Sequence, residues 1–172
     1  MTGHAATKLS EWNELSEADA SAVVLACCWS RAFAAGLVAL RPFRDLEHLL
    51  TCGDEVWWSL GEGDWLEAFA CHPRIGESAS KSSGQHGVWS KEEQSGTRNA
   101  EAAVLELLFE KNKKYEARHG FTYIVCASGK SADELLSILD RRLGNSTEVE
   151  ILEAAEQQRL ITHIRLRKWL TL

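Results

Sequence analysis

The sequence predicts an all-α fold, a single compact helical domain carrying one long Gly/Ser-rich loop. Three observations lead there. Helix-capping residues recur from one end of the chain to the other, and alternating strand patterns are almost absent. The 172 residues, 45% hydrophobic and 26% charged, suit one core. The domain is expected to span residues 1–172, with residues 1–8 flexible.

The elements follow in order. "SEADASAVVLACC" opens on Ser16 with Asp19 three residues on, a capping arrangement whose side-chain oxygens satisfy the free amides of a helix start. "SRAFAAGLVAL" is rich in alanine and leucine and stops at "RPF", where Pro42 cannot continue a helix. Asp45 is expected to cap "LEHLLTCGDEVWWSL", and Asp64, after the turn "GEG", to cap the short "WLEAFAC". From His72 to Trp89 the composition changes to "HPRIGESASKSSGQHGVW", and a loop of that length inside a compact domain usually serves a function. Helical signal returns at "SKEEQSG" and in "NAEAAVLELLFEKNKKYEARHG", which closes on Gly120 as a C-terminal cap. "FTYIVCAS" is an apolar run with no strand to pair with, so it reads as a buried connector. Ser131 with Glu134, and Thr147 with Glu150, have capping-box spacing and open the last two helices.

A net charge of −6 and a pI near 5.5 argue against nucleic acid or an anionic membrane as partner. The five cysteines show no C-x-x-C spacing and read as buried thiols. "MTGHAATKLSEW" has neither the basic start nor the apolar run of a signal peptide, and no apolar segment is long enough to span a bilayer. A cytoplasmic protein is expected.

Three positions invite chemistry. His72 precedes one of only two prolines, which biases it out of helical conformation and restrains it beside the loop. An imidazole there suits acid–base work near neutral pH, although histidine is also favoured at helix C-termini for structural reasons. Ser90 and Glu93 in "WSKEEQSG" match a capping box, which explains both without any function; Gln94 and the far end of the loop that starts at His72 point the other way. Arg165 lies between Ile161 and Trp169 at helical spacing, so its guanidinium enters an apolar stripe and needs a carboxylate, a carbonyl or a ligand. His4, His48, His86, His119 and His163 supply no metal-ligand spacing, and no phosphate-binding, nucleophile-elbow or dinucleotide motif is present.

Taken together, "RPFRDLEHLL", "DWLEAFACHPRIGE", "WSKEEQSG", "NKKYEARHGFTYIVCASGKSADELL" and "RLGNSTEVEILEAAEQQRLITHIRLRKW" resemble the 2-oxo-4-hydroxy-4-carboxy-5-ureidoimidazoline (OHCU) decarboxylases of urate breakdown. The likeness covers nearly the whole chain beyond its first ten or so residues. It implies an all-α fold, often dimeric, that turns OHCU into S-allantoin with no metal or organic cofactor, the last step from urate to allantoin in purine catabolism. By motif position it implies catalytic roles for His72 and Glu93. Substrate contacts are implied for Pro73, Ser90, Gln94, Arg165 and backbone groups around Val125 and Ala127. One departure is "ACCWS", where Trp29 stands in place of a glycine and touches only local packing.

The implied chemistry suits these residue types. The substrate carbon that bears the carboxylate sits beside a ring C=N bond, so the substrate provides its own electron sink. Glu93 could hold the carboxylate out of the ring plane by sharing a proton or by like-charge strain, and the loop could exclude water. Two other classes compete: a non-catalytic helical binding module that has kept the fold, and a metal-dependent hydrolase built on His72, Glu77 and a distant histidine.

Overall fold

The computed structural model describes residues 2–75 and 102–171. Among them are eight helices and no strand: α1 (Thr2–Glu14), α2 (Glu17–Cys27), α3 (Arg31–Ala39), α4 (Leu46–Ser59), α5 (Glu62–Ala70), α6 (Ala102–His119), α7 (Ala132–Leu143) and α8 (Thr147–Thr171). The Gly/Ser-rich loop, Ser90, Glu93, Gln94, Glu77 and His86 lie outside the described residues. The chain divides into two compact units, residues 1–68 with 159–172, and residues 69–158.

In the first unit the helix starts follow local chemistry. Ser16 accepts the Asp19 amide, Ser30 the Phe33 amide and Asp45 the His48 amide, capping α2, α3 and α4. Asp64 departs from expectation. The helix α5 begins two residues earlier, and the Asp64 carboxylate reaches back to the Gly61 amide at 3.2 Å from inside the first turn. The C-terminus of α1 has no basic residue of its own, and Arg41 supplies one by donating through Nη1 to the carbonyls of Trp12 and Leu15, both at 2.9 Å. Trp12 is buried, stacked on Phe43 with ring centroids 5.8 Å apart, and donates its indole N–H to Ala20 O. Phe33, Trp57 and Trp65 continue this aromatic core. The close approach of α3 to α4 depends on Gly36, where a Cβ would stand 2.8 Å from Val56 Cγ1. Trp29, the departure from the family pattern, is 43% exposed, so its ring leaves the buried Ser30 cap intact.

The second unit packs α6 against α7 and the first part of α8 around Leu108, Tyr115, Leu135, Leu139 and Ala154. Helix α6 ends as expected on Gly120, at φ +82° with its N–H on Glu116 O. Ser131 and Glu134 make the expected reciprocal capping box. The box expected at Thr147 and Glu150 does not form. Thr147 Oγ1 lies 3.1 Å from His119 Nδ1, and the Glu150 carboxylate turns inward to Arg142, because a buried guanidinium needs a charge more than the helix start needs another cap. Residues 122–127 carry neither helix nor strand, and Tyr123 through Ala127 are buried, the connector that the sequence suggested. Cysteines only partly follow expectation: Cys27, Cys28 and Cys126 are buried, Cys52 is half-buried and Cys71 is exposed.

Candidate active site

His72 sits just past the end of α5, with its N–H turned back onto Phe69 O at 3.1 Å. Proline at 73 cannot offer an N–H to extend the helix, so the chain departs at the imidazole. Both flanks are fastened within the second unit. On one side the buried Phe69 ring lies 5.6 Å from Phe121. On the other, Arg74 grips Glu116 of α6 with two bonds, Nε to Oε1 at 2.9 Å and Nη2 to Oε2 at 2.6 Å. A bidentate guanidinium–carboxylate pair fixes orientation as well as distance. His72 and Pro73 are half-buried between these anchors, and Ile75 beyond them is buried.

Val125 and Ala127 belong to the connector in the same unit, 7% and 5% exposed. The connector's backbone is held largely by side chains. Ile124 O accepts from Arg142 Nη1 at 2.6 Å, Cys126 N–H donates to Gln157 Oε1 at 2.9 Å, and Lys130 Nζ donates to Cys126 O at 2.7 Å. Buried peptide groups outside helices and sheets need such partners.

Behind the connector lies a polar network that the sequence reading missed. Arg142 and Glu150 are fully buried and joined at 2.8 Å. The Glu150 carboxylate also accepts from Tyr115 OH at 2.5 Å and Asn145 Nδ2 at 2.6 Å. Burial pushes Glu150 toward its neutral form, but the bonds from Arg142, Tyr115 and Asn145 outweigh it and hold the carboxyl below the ordinary range. Burial raises the Tyr115 and Tyr123 phenols, keeping both protonated. A signal for Arg142 was present: Ala132, Leu135 and Leu139 share its helical face, so it stands in an apolar stripe, as Arg165 does.

Arg165 belongs to the first unit and is fully buried, with Nη1 donating to Cys27 O at 3.2 Å near the end of α2. A carbonyl is thus one of the partners that its stripe position demanded. In the same unit Asp54 accepts from Arg159 Nη1 at 3.0 Å and lies 2.6 Å from His163 Nε2, which gives His163 a structural partner. No group of three or more His, Cys, Asp or Glu side chains able to hold a metal ion occurs among the described residues.

Comparison with known proteins bears on these residues. A family model described as OHCU decarboxylase matches residues 13–167. The chain is 37% identical over 145 residues to the "Uric acid degradation bifunctional protein TTL" of Arabidopsis thaliana, an alignment covering 83% of this chain and 44% of that one. It is 24% identical over 130 residues to the "Uric acid degradation bifunctional protein" of Bacillus sp. (strain TB-90), covering 74% of this chain and 25% of the relative. It therefore spans less than half the length of these curated relatives. A solved structure of an OHCU decarboxylase, determined in the presence of (S)-allantoin, superposes with a TM-score of 0.75 at 32% identity, covering 86% of this chain and 96% of that one. An (S)-allantoin synthase structure, 18% identical with a TM-score of 0.67 over 93% of this chain and 53% of its own, shares the fold. With the family model matching most of its length, the chain belongs to the OHCU decarboxylase family.

Proposed function

We propose that this protein catalyses the cofactor-independent decarboxylation of OHCU to S-allantoin, the last step of urate oxidation to allantoin. The observation that carries the reading is the anchored His72–Pro73 turn in a chain of this family, with Phe69 and Arg74 fixing both flanks. Fixing a titratable group on two sides restricts its approach to a bound substrate, which is how positioning lowers a barrier.

The reaction balances without an outside electron acceptor. The C–CO2 bond breaks and its electron pair enters the adjacent C=N bond, giving a C=C enol whose ring nitrogen takes a proton. The enol hydroxyl then yields its proton as the neighbouring ureido-bearing carbon takes one on a single face, and that face sets the S configuration. In this reading His72 exchanges a proton with the hydroxyl or ring nitrogen, as suits imidazole near neutral pH. Glu93 presses the carboxylate out of the ring plane. Arg165 offers its planar fork to a carbonyl or the ureido group. Pro73, Ser90, Gln94 and the backbone at Val125 and Ala127 complete the substrate contacts.

The same reading makes the protein a cytoplasmic homodimer with no nucleic-acid or membrane partner. Its support is the net charge of −6, the lack of any membrane-length apolar helix among the described residues, and exposed Val149 and Leu152 on one face of α8. The test generates OHCU in situ from urate with urate oxidase and 5-hydroxyisourate hydrolase and follows the circular dichroism of the allantoin formed. Rapid appearance of one enantiomer supports the decarboxylase. Racemic product at the spontaneous rate overturns it and favours a binding module on the same fold. Activity abolished by a strong chelator and restored by zinc or manganese favours a metal-dependent enzyme.

A further inference from the structure

We infer that Gln157, together with Lys130 and Arg142, is a positioning residue that aims the backbone of Val125 and Ala127 at the substrate; the inference rests on the decarboxylase reading above. A trans peptide is planar, so its C=O and the N–H of the next residue point in opposite directions. The carbonyl of Ile124 and both the N–H and C=O of Cys126 are taken, by Arg142 from α7, Gln157 from α8 and Lys130 from the turn that follows. That turn is itself closed by Lys130 N–H on Ala127 O at 3.1 Å, with Gly129 at φ +77°. Fixing Ile124 O, Cys126 N–H and Cys126 O therefore also fixes the Val125 N–H, the Val125 C=O and the Ala127 N–H, each pointing away from the side chain that clamps its peptide.

Each clamp is in turn oriented. Gln157 Nε2 donates to Glu153 Oε1 one helical turn back, at 3.2 Å, which directs Oε1 at the Cys126 amide. Arg142 is held by Glu150 and lies over the Tyr123 ring at 4.8 Å, so the connector is gripped through both a side chain and its carbonyl. None of these residues needs to touch the substrate. Their effect on it passes through the connector, so a change at Gln157 alters how well the backbone donors meet a bound anion rather than the proton transfer itself.

The variant Gln157→Met removes the acceptor at similar volume, and the exchange Gln157→Glu with Glu153→Gln keeps an acceptor at the same reach and a donor one turn back to orient it. The expected result is a rise in KM of about tenfold for Gln157→Met, with kcat changed less than threefold, melting temperature near that of the wild type and faster hydrogen exchange at the Cys126 amide. The exchanged pair Gln157→Glu with Glu153→Gln restores KM to within about threefold of the wild type and restores the protection. A Gln157→Met enzyme with wild-type KM, or an exchanged pair as impaired as Gln157→Met, overturns the inference while leaving the decarboxylase intact. A wild type that forms only racemic allantoin at the spontaneous rate overturns the decarboxylase reading and the inference with it, even where exchange at Cys126 still answers to Gln157.

Discussion

Replacing Glu150 by glutamine is expected to be among the most destabilising single-atom exchanges in the chain. The carboxylate is fully buried and accepts from Arg142 Nε, Tyr115 OH and Asn145 Nδ2, so three donors converge on two oxygens. An amide keeps one oxygen, for Arg142 and Tyr115, and sets an NH2 group against the Asn145 Nδ2 donor that the second oxygen had accepted from. The Arg142 cation is left buried without its counter-charge, and breaking a buried pair from one side costs about 3–5 kcal/mol. In a chain of this size each kcal/mol corresponds to about 2–4 °C, so a fall of about 6–20 °C in melting temperature is expected. Urea titration followed by tryptophan fluorescence measures the free-energy loss, and thermal melts followed by far-UV circular dichroism measure the shift. The paired change Arg142→Met with Glu150→Leu should recover the part of the loss that comes from the unpaired Arg142 charge. It should not recover all of it, since the Ile124 carbonyl has lost its donor and Tyr115 OH and Asn145 Nδ2 their acceptor, each worth about 1–3 kcal/mol. A Glu150→Gln protein within 1 kcal/mol of the wild type would refute this account of the network.

Further outcomes follow from the same contacts. Because the Glu150 carboxyl is held below its ordinary value of 4.5, its contribution to stability is present above that pH and lost as pH falls through the lower folded value; a stability–pH series should show this acid limb flattened in Glu150→Gln. Burial lowers His119 from its ordinary 6.5, opposed by Glu150 and aided by Arg118 and Arg142. The unfolded chain therefore binds the proton first, stability declines as pH drops below about 6.5, and His119→Phe should remove that part of the decline. Arg74→Ala frees one flank of His72 and should lower kcat/KM about tenfold, equivalent to about 1.4 kcal/mol. In steady-state kinetics Arg74→Lys should not restore it, since an ammonium cannot reproduce the two-bond grip on Glu116. Gly36→Ala drives a methyl group into Val56 and should cost about 1–2 kcal/mol even after its gain in helix propensity, a loss that Val56→Ala in the same chain relieves in thermal melts.

Much of the fold was legible because the signals are local. Ser16, Asp45, Ser131 and Gly120 mark helix ends through bonds made within a few residues, and the structure has them where the sequence suggested. The misreadings arise where a distant partner outcompetes a local one. Thr147 and Glu150 have ideal box spacing, yet Glu150 answers to Arg142 eight residues away and to Tyr115 thirty-five away. Arg41, far from α1 in sequence, supplies the cation that α1 lacks. In the candidate site, His72 was marked by its proline and Arg165 by its apolar stripe, and the structure shows the first held on both flanks and the second fully buried. The anchors themselves, Glu116 for Arg74 and Gln157 for Cys126, are ordinary polar residues on helices, and nothing in their local pattern distinguishes them from surface positions.

The central claim is that His72, held in its turn, governs the chemistry and its handedness. It is tested most directly by the circular dichroism of allantoin formed from freshly generated OHCU with wild-type protein and with His72→Ala, alongside a check that the variant melts like the wild type. The account predicts rapid formation of S-allantoin with the wild type and slow, racemic product with the folded variant. Single-enantiomer product at an undiminished rate from His72→Ala would contradict it.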